Sequence, residues 1–426
     1  MSAIVDAAYV AGLLAASPVV GWRMARTGKH RTDWPARFGR GAALNRPGAA
    51  GRTLVHAVSV GEVNASRGLV ERLAAQGDVV LSVTTDTGFA RAQQLFGQRL
   101  PVVRYPFDAG FAVDRFLDRV QPTLVALVEL ELWPNFMQAC ARRGISVGVV
   151  NGRLSERSFS RYRLARPILS GMFRQLAFAC VQTDAYADRF RAMGVAADRV
   201  QVTGTMKWDT AQVAEEVPGA RELAEALGID RDRPLVVAGS TAPGEAAMLH
   251  AALPEGVQLL CAPRKPEWFD ASAAEMPGCV RRSRHERRPG AERFLLDTIG
   301  ELRKAYALAT VVVVGRSFGD LHGSDMMEPV ALGKATLIGP RYGDFADTAE
   351  KLLAAGGLRV TSRTDLMRDL ANLLHDAGAR AEMAAAGRAV IAREQGATHR
   401  HEALLRRFMV QDMSPNATLE AGARHA

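Results

Sequence analysis

Glu62 is the first residue whose type and position could do chemistry. It follows an apolar run and opens a helical pattern in HAVSVGEVNASRGLVERL, residues 56–73. Gly61 beside it allows a tight turn or lets a ligand approach the backbone. An acidic residue at a helix start is stabilised by the positive end of the helix dipole. A carboxylate there could also remove a proton from an attacking hydroxyl group, so the spacing leaves a structural and a catalytic interpretation open.

A second group of acidic residues follows another apolar run, in the segment VELELWPN. Glu129 ends the run, and Glu131 and Trp133 come shortly after it. Pro134 is favoured at the first position of a helix, so a helix should begin there. Two carboxylates at the carboxyl end of a strand could act in catalysis, or one could cap the helix while the other contacts solvent. The sequence leaves both interpretations open.

Cations and small residues occupy comparable turns elsewhere. Lys207 lies in TGTMKWD, and Arg264 and Lys265 follow the apolar run VQLLCAP. Such cations fit a phosphate or a developing negative charge, although most surface lysines have no such role. The loop GSTAPGE, residues 239–245, offers backbone amides to an anion, and Glu328 could accept hydrogen bonds from both hydroxyls of a ribose. Together these groups describe a transferase that uses a nucleotide-activated donor.

The elements that position these turns are short apolar runs alternating with helical segments. The expected strands are residues 53–59, 78–84, 100–105, 123–129, 145–150, 234–240, 257–263, 309–315 and 334–340. The expected helices are residues 64–76, 88–97, 110–120, 135–143, 243–252 and 298–307. Strands rich in Val and Leu on both faces predict parallel sheets covered by helices on both sides. The predicted fold class is therefore doubly wound α/β.

The length of 426 residues predicts two such domains. The expected division is an apolar and basic segment at 1–33, a first domain at 34–210, a linker at 211–233, a second domain at 234–411 and a tail at 412–426. Two domains of this kind predict a cleft between them. Ligands of open parallel sheets bind beyond the carboxyl ends of the strands.

The amino-terminal segment predicts contact with a membrane. Residues 3–20 form a mainly apolar segment interrupted by Asp6 and Pro18, and seven basic residues with one acid follow in residues 23–40. A secretory signal carries its positive charge before the apolar part, so export is not expected. The segment is marginal for spanning a bilayer and better suited to lying in one leaflet or to packing as a buried helix. The basic residues favour the cytoplasmic side and anionic lipid.

Composition narrows the class of partner. Lys and Arg total 54 against 45 Asp and Glu, and the net charge of +9 favours an anionic partner. Aromatic residues make up only 6%, and no basic run is interleaved with them, so nucleic acid is not expected. The four cysteines lie far apart, which argues against zinc and indicates a reducing compartment.

These turns together resemble the 3-deoxy-D-manno-oct-2-ulosonic acid (Kdo) transferase family from about residue 34 to residue 400. The resemblance rests on HAVSVGEV, TTDTGFARAQ, YPFDAGFAVDRFLDRVQP, ELELWPN, NGRLSERS, TGTMKWD, GSTAPGE, APRKPE, DTIGELRKAY and MEPVALGK. Ten blocks in the family's order make it specific. The apolar amino terminus with its basic residues is also similar to the family's membrane-associated start.

The resemblance implies a GT-B glycosyltransferase, with two Rossmann-like domains facing each other across a cleft and an N-terminal apolar helix. It implies transfer of Kdo from CMP-Kdo to lipid A precursor (lipid IVA) in lipopolysaccharide core biosynthesis. The reaction is expected at the cytoplasmic face of the inner membrane, with an anionic membrane surface as partner. No metal or cofactor is expected, since CMP-Kdo is a co-substrate.

The resemblance also assigns roles to residues. The family's general base matches Glu62, and its two residues that support the transition state match Glu129 and Lys207. The donor-nucleotide contacts match Pro263, Arg264, Ile299, Gly300, Glu301, Asp325, Met326, Met327 and Glu328.

Two departures from the family pattern lie in the donor half. Lys265 stands where the family usually has His, and His322, Gly323, Ser324 and Asp325 stand where it has Gly-Gly-His-Asn. They keep two alternatives open. One is a GT-B glycosyltransferase that uses a different nucleotide sugar, and the other is a non-catalytic membrane-associated protein that binds lipid or nucleotide.

Overall fold

The computed structural model describes residues 33–48 and 51–411. The expected N-terminal apolar helix and the tail at 412–426 lie outside these residues, so membrane association through the amino terminus stays a prediction. Among the helices of the described part, none combines the length and the apolar character that crossing a bilayer requires.

The chain folds as two compact units. Of the described residues, the first contains those up to Thr210 together with Gln395–Gln411, and the second contains Ala211–Glu394. Each unit is built on its own parallel β-sheet, as the alternation of apolar runs and helices predicts.

The sheet of the first unit has the strand order β3-β2-β1-β4-β5-β6-β7, and all neighbours are parallel. Its strands are β1 (Arg52–Ala57), β2 (Asp78–Val83), β3 (Val102–Arg104), β4 (Leu124–Val128), β5 (Ser146–Gly152), β6 (Phe178–Val181) and β7 (Val200–Val202). The central strands β1 and β4 are buried along their whole length, and the sequence of β4, LVALV, is apolar throughout, as expected for a strand covered on both faces. The sequence did not predict β6 and β7.

Helices cover both faces of this sheet. They are α1 (Trp34–Arg37), α2 (Val60–Ala65), α3 (Arg67–Ala74), α4 (Asp86–Phe96), α5 (Gly110–Val120), α6 (Pro134–Arg142), α7 (Glu156–Leu164), α8 (Arg166–Arg174) and α9 (Asp184–Met193). The helix expected at 64–76 begins earlier, at Val60, because Ser59 caps its amino end, and it is interrupted at Ser66. Pro134 begins α6, as predicted.

The second unit repeats the arrangement with the order β10-β11-β9-β8-β12-β13-β14. Its strands are β8 (Leu235–Thr241), β9 (Gln258–Pro263), β10 (Val280–Arg281), β11 (Arg293–Leu295), β12 (Val311–Val314), β13 (Ala335–Ile338) and β14 (Arg359–Val360). Its helices are α10 (Ala220–Leu227), α11 (Glu245–Ala252), α12 (Phe269–Ala274), α13 (Leu302–Leu308), α14 (Met327–Ala331), α15 (Ala346–Ala354), α16 (Leu366–His375) and α17 (Ala377–Glu394).

The division of the chain differs from the expected one in two places. Residues 211–233 are not a bare linker, because α10 packs its apolar face against α13 of the second unit. The last helix, α18 (Ala397–Gln411), belongs to the first unit and not to the second, because it packs on α3 and contributes Leu405 to the core around β1.

Two sets of polar contacts hold α18 in the first unit. Asp209 accepts hydrogen bonds from the backbone N–H groups of Gly396 at 2.6 Å and Thr398 at 2.5 Å, so it caps the amino end of the helix. His401 is fully buried, and its Nε2 accepts a hydrogen bond from the Asn151 N–H at 2.8 Å. Burial lowers the pKa of His401 to about 4, so it is neutral near pH 7.

We expect Asp209→Ala to lower the free energy of unfolding by about 1 to 2 kcal/mol, because two helix N–H groups lose their acceptor. Chemical unfolding measures this change. Asp198→Ala removes an exposed carboxylate from the same unit and serves as the matched control. Equal stability of the two variants would contradict the capping role.

Candidate active site

A cavity of about 140 Å³ lies at the carboxyl end of the first sheet. It is lined by Glu62, Glu129, Leu130, Glu131, Arg153, Leu154, Ser158 and Tyr162. The strand order reverses between β1 and β4, so the connections that follow these two neighbours leave in opposite directions. Such a reversal opens a crevice at the carboxyl end of a parallel sheet. Glu62 follows β1 and Glu129 follows β4, and this places both predicted carboxylates at the crevice.

The carboxylate of Glu62 is fixed by the start of its own helix. Oε2 accepts a hydrogen bond from the Val58 N–H at 2.8 Å, and Oε1 accepts one from the Ser59 hydroxyl at 3.0 Å. Ser59 in turn caps α2. The Ser-x-x-Glu spacing is that of a capping box, so the structural interpretation of Glu62 holds. It does not exclude the catalytic one, since the side chain also lines the cavity and each oxygen can accept a further hydrogen bond.

Burial raises the pKa of Glu62 from its usual 4.5 to about 7. The hydrogen bonds from Val58 and Ser59 act in the opposite direction, while the negative charges of Glu129 and Glu131 add to the rise. A carboxylate with a pKa near 7 is well matched to accepting a proton at neutral pH. The raised pKa also means that native stability contributed by protonated Glu62 is present below about pH 4.5 and lost as the pH rises through about 7.

Glu129 is held in an unusual backbone conformation. Its φ is +64°, which non-glycine residues seldom adopt, and its N–H donates to the Val150 carbonyl at 2.9 Å. Left-handed residues also occur where other strands end, at Asn151, Ser240 and Arg316. Strain of this kind concentrates at functional sites.

Two further charged groups line the same cavity. Glu131 accepts a hydrogen bond from the indole N–H of Trp133 at 2.9 Å, and burial raises its pKa. Arg153 supplies a positive charge to the cavity wall. Neither Arg153 nor Tyr162 was predicted as a site residue, although both lie in or beside the block NGRLSERS, whose position after β5 indicated the same edge of the sheet.

Lys207 lies in a loop that packs against α2 but does not line this cavity. The loop is anchored by Asn151, whose side-chain Oδ1 accepts a hydrogen bond from the Met206 N–H at 3.0 Å. The structure of the first unit therefore brings Glu62 and Glu129 together and leaves Lys207 outside the cavity wall.

Gly61 is not required by the fold. Its φ is not positive, and a Cβ atom at this position would meet nothing closer than the Ser59 hydroxyl, at 3.7 Å. The tight-turn explanation of Gly61 is therefore wrong. The other explanation, that glycine at position 61 lets a ligand approach the backbone, remains.

In the second unit, the strand order reverses between β8 and β12, and one carboxylate joins the two loops that follow. Glu245 is 2% exposed and accepts hydrogen bonds from the N–H groups of Ala242, Arg316 and Phe318 at 2.9, 2.8 and 3.2 Å. The sequence indicated a small-residue loop here but not this role for its last residue. Glu245 fixes the backbone that borders the predicted donor site.

Several predicted donor residues surround one buried phenol. Arg264 follows β9, and its N–H donates to the Thr241 carbonyl at 3.0 Å, while Pro263 ends the strand. Burial raises the pKa of Tyr306, and the charges of Glu328, Asp325 and Arg264 all act on it. These three residues, which are far apart in sequence, are therefore neighbours in the second unit.

The segment around Glu301 forms an exposed turn, unlike the buried surroundings of Tyr306. Glu301 accepts hydrogen bonds from Arg282 at 3.1 and 3.3 Å and from the Thr298 hydroxyl at 2.7 Å. These contacts lower its pKa despite partial burial. Ile299 is 73% exposed, and Gly300 has a φ of +95° with open space beside it. This exposed turn leaves its backbone accessible to a ligand.

Residues 325–328 contain two buried methionines between two acidic residues. Met326 and Met327 are 0% and 4% exposed, so only their backbone is available to a nucleotide. Asp325 accepts a hydrogen bond from the Met327 N–H at 2.8 Å. Burial raises the pKa of Glu328, and Arg303, 3.6 Å away, acts in the opposite direction.

The residues that depart from the family pattern lie in two different environments: Lys265 is exposed and Ser324 is buried. The ammonium group of Lys265 pairs with Glu267 at 3.1 Å and lies 5.0 Å from the Trp268 ring centroid. Ser324 is buried, and its hydroxyl has no hydrogen-bond partner among the described residues; the same is true of the Thr241 hydroxyl. Within residues 33–48 and 51–411, no group of three or more His, Cys, Asp or Glu side chains could hold a metal ion.

Comparison with solved structures identifies the fold. MurG of Acinetobacter baumannii superposes with a TM-score of 0.54 at 16% identity, over 84% of this chain and 99% of that one. A likeness at this identity shows the fold alone, and that fold is the GT-B arrangement of two parallel-sheet α/β units.

Sequence comparison defines the family. The model described as "3-Deoxy-D-manno-octulosonic-acid transferase (kdotransferase)" matches residues 32–210. The 3-deoxy-D-manno-octulosonic acid transferase of Bordetella pertussis is 34% identical over 89% of this chain and 93% of its own length. The Haemophilus influenzae protein of the same name is 29% identical over 95% and 99%. This chain belongs to the Kdo transferase family of glycosyltransferases, and the resemblance found in its motifs is confirmed.

We expect Gly61→Ala to fold with unchanged or slightly higher stability, because alanine fits the space and favours the helix. The added methyl group should raise the KM for the acceptor severalfold. Thermal unfolding and initial rates measure the two effects. Wild-type kinetics in a stable Gly61→Ala protein would show that no ligand approaches this backbone.

Proposed function

We propose that this chain transfers Kdo from CMP-Kdo to a lipid A precursor. Family membership supports the sugar and the type of reaction. The single observation that carries the mechanism is the cavity at the reversal of strand order, where Glu62 has a pKa of about 7 beside two further carboxylates.

In the proposed reaction, Glu62 takes a proton from a hydroxyl group of the acceptor sugar. The oxygen then attacks the anomeric carbon of Kdo as the bond from that carbon to the CMP phosphate oxygen breaks, and CMP leaves with the electron pair. Fixed hydrogen bonds from Val58 and Ser59 orient the carboxylate before the reaction begins. Preorganisation of this kind reduces the cost of reaching the transition state.

Charges around the base support the transition state. The carboxylate of Glu129 would stabilise the positive charge that develops at the anomeric carbon, and Lys207 would offset negative charge on the phosphate or on the sugar carboxylate. Both roles are proposals that rest on the family motif.

The donor nucleotide would bind residues of the second unit. Arg264 would pair with the phosphate, Glu328 would accept hydrogen bonds from the ribose hydroxyls, and the backbone of residues 299–301 and 325–327 would contact the base and sugar. The hydroxyls of Ser324 and Thr241, which have no hydrogen-bond partner among the described residues, would be further donors to the nucleotide. No metal or cofactor takes part in this proposal.

The proposed location is the cytoplasmic face of the inner membrane, where a lipid-linked acceptor is accessible. Two observations on the sequence support it: the apolar segment at 3–20 and the basic residues that follow it.

Glu62→Gln should lower kcat with CMP-Kdo and tetraacylated lipid A precursor by about 10²-fold or more, since the amide cannot accept a proton. Release of CMP and formation of the Kdo-lipid product measure the rate. Glu255→Gln, which changes an exposed glutamate of the second unit in the same way, should keep the wild-type rate. A fully active Glu62→Gln protein would contradict the assignment of the base.

Nucleotide binding provides the control for folding and for the donor. CMP should raise the Tm of wild type and Glu62→Gln equally, because Glu62 is not among the residues proposed to bind nucleotide. A larger shift with UDP or ADP than with CMP would favour a different sugar nucleotide.

A further inference from the structure

The turn between α7 and α8 displays aliphatic side chains to solvent. Leu164 and Ile168 are 86% and 82% exposed, more than any other large hydrophobic side chain in the described residues. Isolated apolar residues on a surface are ordinary. Two of this exposure at one turn are unusual, because each leaves almost its whole side chain in water.

Arginines surround these two side chains. Residues 157–174 contain five arginines and no acidic residue. All five are exposed, and within the described residues Arg157, Arg161, Arg163 and Arg166 have no acidic partner. Several arginines elsewhere in the first unit pair with carboxylates, as Arg143 does with Asp114 and Asp118. Among the residues that the structure describes, no carboxylate pairs with the guanidinium groups of these four arginines.

The two helices are held in place by their other face. Phe159 and Tyr162 of α7 and Leu169 and Met172 of α8 pack against the core of the first unit. The outward aliphatic groups are therefore not needed for packing. The exposed group formed by Arg157, Arg161, Arg163, Leu164, Arg166 and Ile168 is called the α7–α8 corner below.

The α7–α8 corner is continuous with the candidate active site. Ser158 and Tyr162, on the same helix as Leu164, line the cavity that contains Glu62 and Glu129. A ligand that contacts the corner is thus close to the wall of the cavity.

We propose that the α7–α8 corner docks on an anionic lipid bilayer. Leu164 and Ile168 would enter the boundary between head groups and acyl chains, and the arginines would bind lipid phosphates. Protruding aliphatic side chains favour a bilayer over nucleic acid, which offers no apolar phase to receive them. The proposal rests on the proposed function in one respect: a lipid-linked acceptor would then enter the cavity from the surface on which the enzyme lies.

A dye at the turn tests the contact directly. Ile168→Cys is labelled with an environment-sensitive fluorophore in the full chain carrying Cys279→Ser, because the other three cysteines are buried. Met367→Cys, at a side chain 59% exposed in the second unit, is the matched control. With vesicles of phosphatidylcholine and phosphatidylglycerol, emission at position 168 should rise severalfold and shift to shorter wavelength, and emission at position 367 should stay constant.

A second pair of variants tests whether the arginines of the α7–α8 corner contribute to binding the vesicles. Arg161→Gln with Arg163→Gln should weaken the vesicle response at position 168 on the order of tenfold. Arg284→Gln with Arg287→Gln removes two exposed arginines from the second unit and should leave it unchanged.

Either of two results would overturn the proposal. One is emission at position 168 that stays unchanged when the vesicles are added, whether or not the protein sediments with them. The other is a response to single-stranded DNA without a response to vesicles. The measurement contains neither donor nor acceptor, so its failure is distinguishable from a failure of transfer.

Discussion

The reversal of strand order between β1 and β4 is the constraint on which the candidate site depends. Parallel strands all end at one edge, and only at the reversal do the following segments separate enough to leave a crevice. Glu62 and Glu129 enter that crevice from different connections. Partial burial in the crevice then raises the pKa of Glu62. Topology thus brings the carboxylates together, and desolvation gives one of them the properties of a base.

The same local sequence serves two purposes in the two units. A Gly-Glu pair follows the first strand of each sheet, as Glu62 in SVGE and Glu245 in APGE. Glu245 is saturated by three backbone N–H groups and is buried, so its role is structural. Glu62 has two hydrogen bonds, a raised pKa and access to the cavity. The two glutamates share a motif, but they differ in the number of hydrogen bonds they accept and in their exposure. These differences distinguish the structural Glu245 from the candidate base Glu62.

The sequence predicted the elements that carry strong patterns. Helix α5 spans residues 110–120 as expected, because its apolar residues recur at helical spacing. The buried strands β4 and β12 were visible as runs of Val and Leu. Short edge strands such as β10 and β14, with two residues each, carry no such pattern. The return of α18 to the first unit depends on long-range contacts of Asp209 and His401, which local sequence cannot reveal. For the same reason, the sequence did not predict the buried side chains of Met326 and Met327.

The central claim is that Glu62 is a base tuned by burial, and a carboxyl ¹³C NMR titration tests it most directly. The Glu62 resonance is identified by its absence from Glu62→Gln. The account predicts an apparent pKa of about 7, so that the basic form is lost and kcat/KM falls as the pH drops below 7. Since Glu129 and Glu131 interact with Glu62, removing either charge should lower that value. A Glu62 carboxyl that titrates near 4.5 in the folded protein would contradict the account.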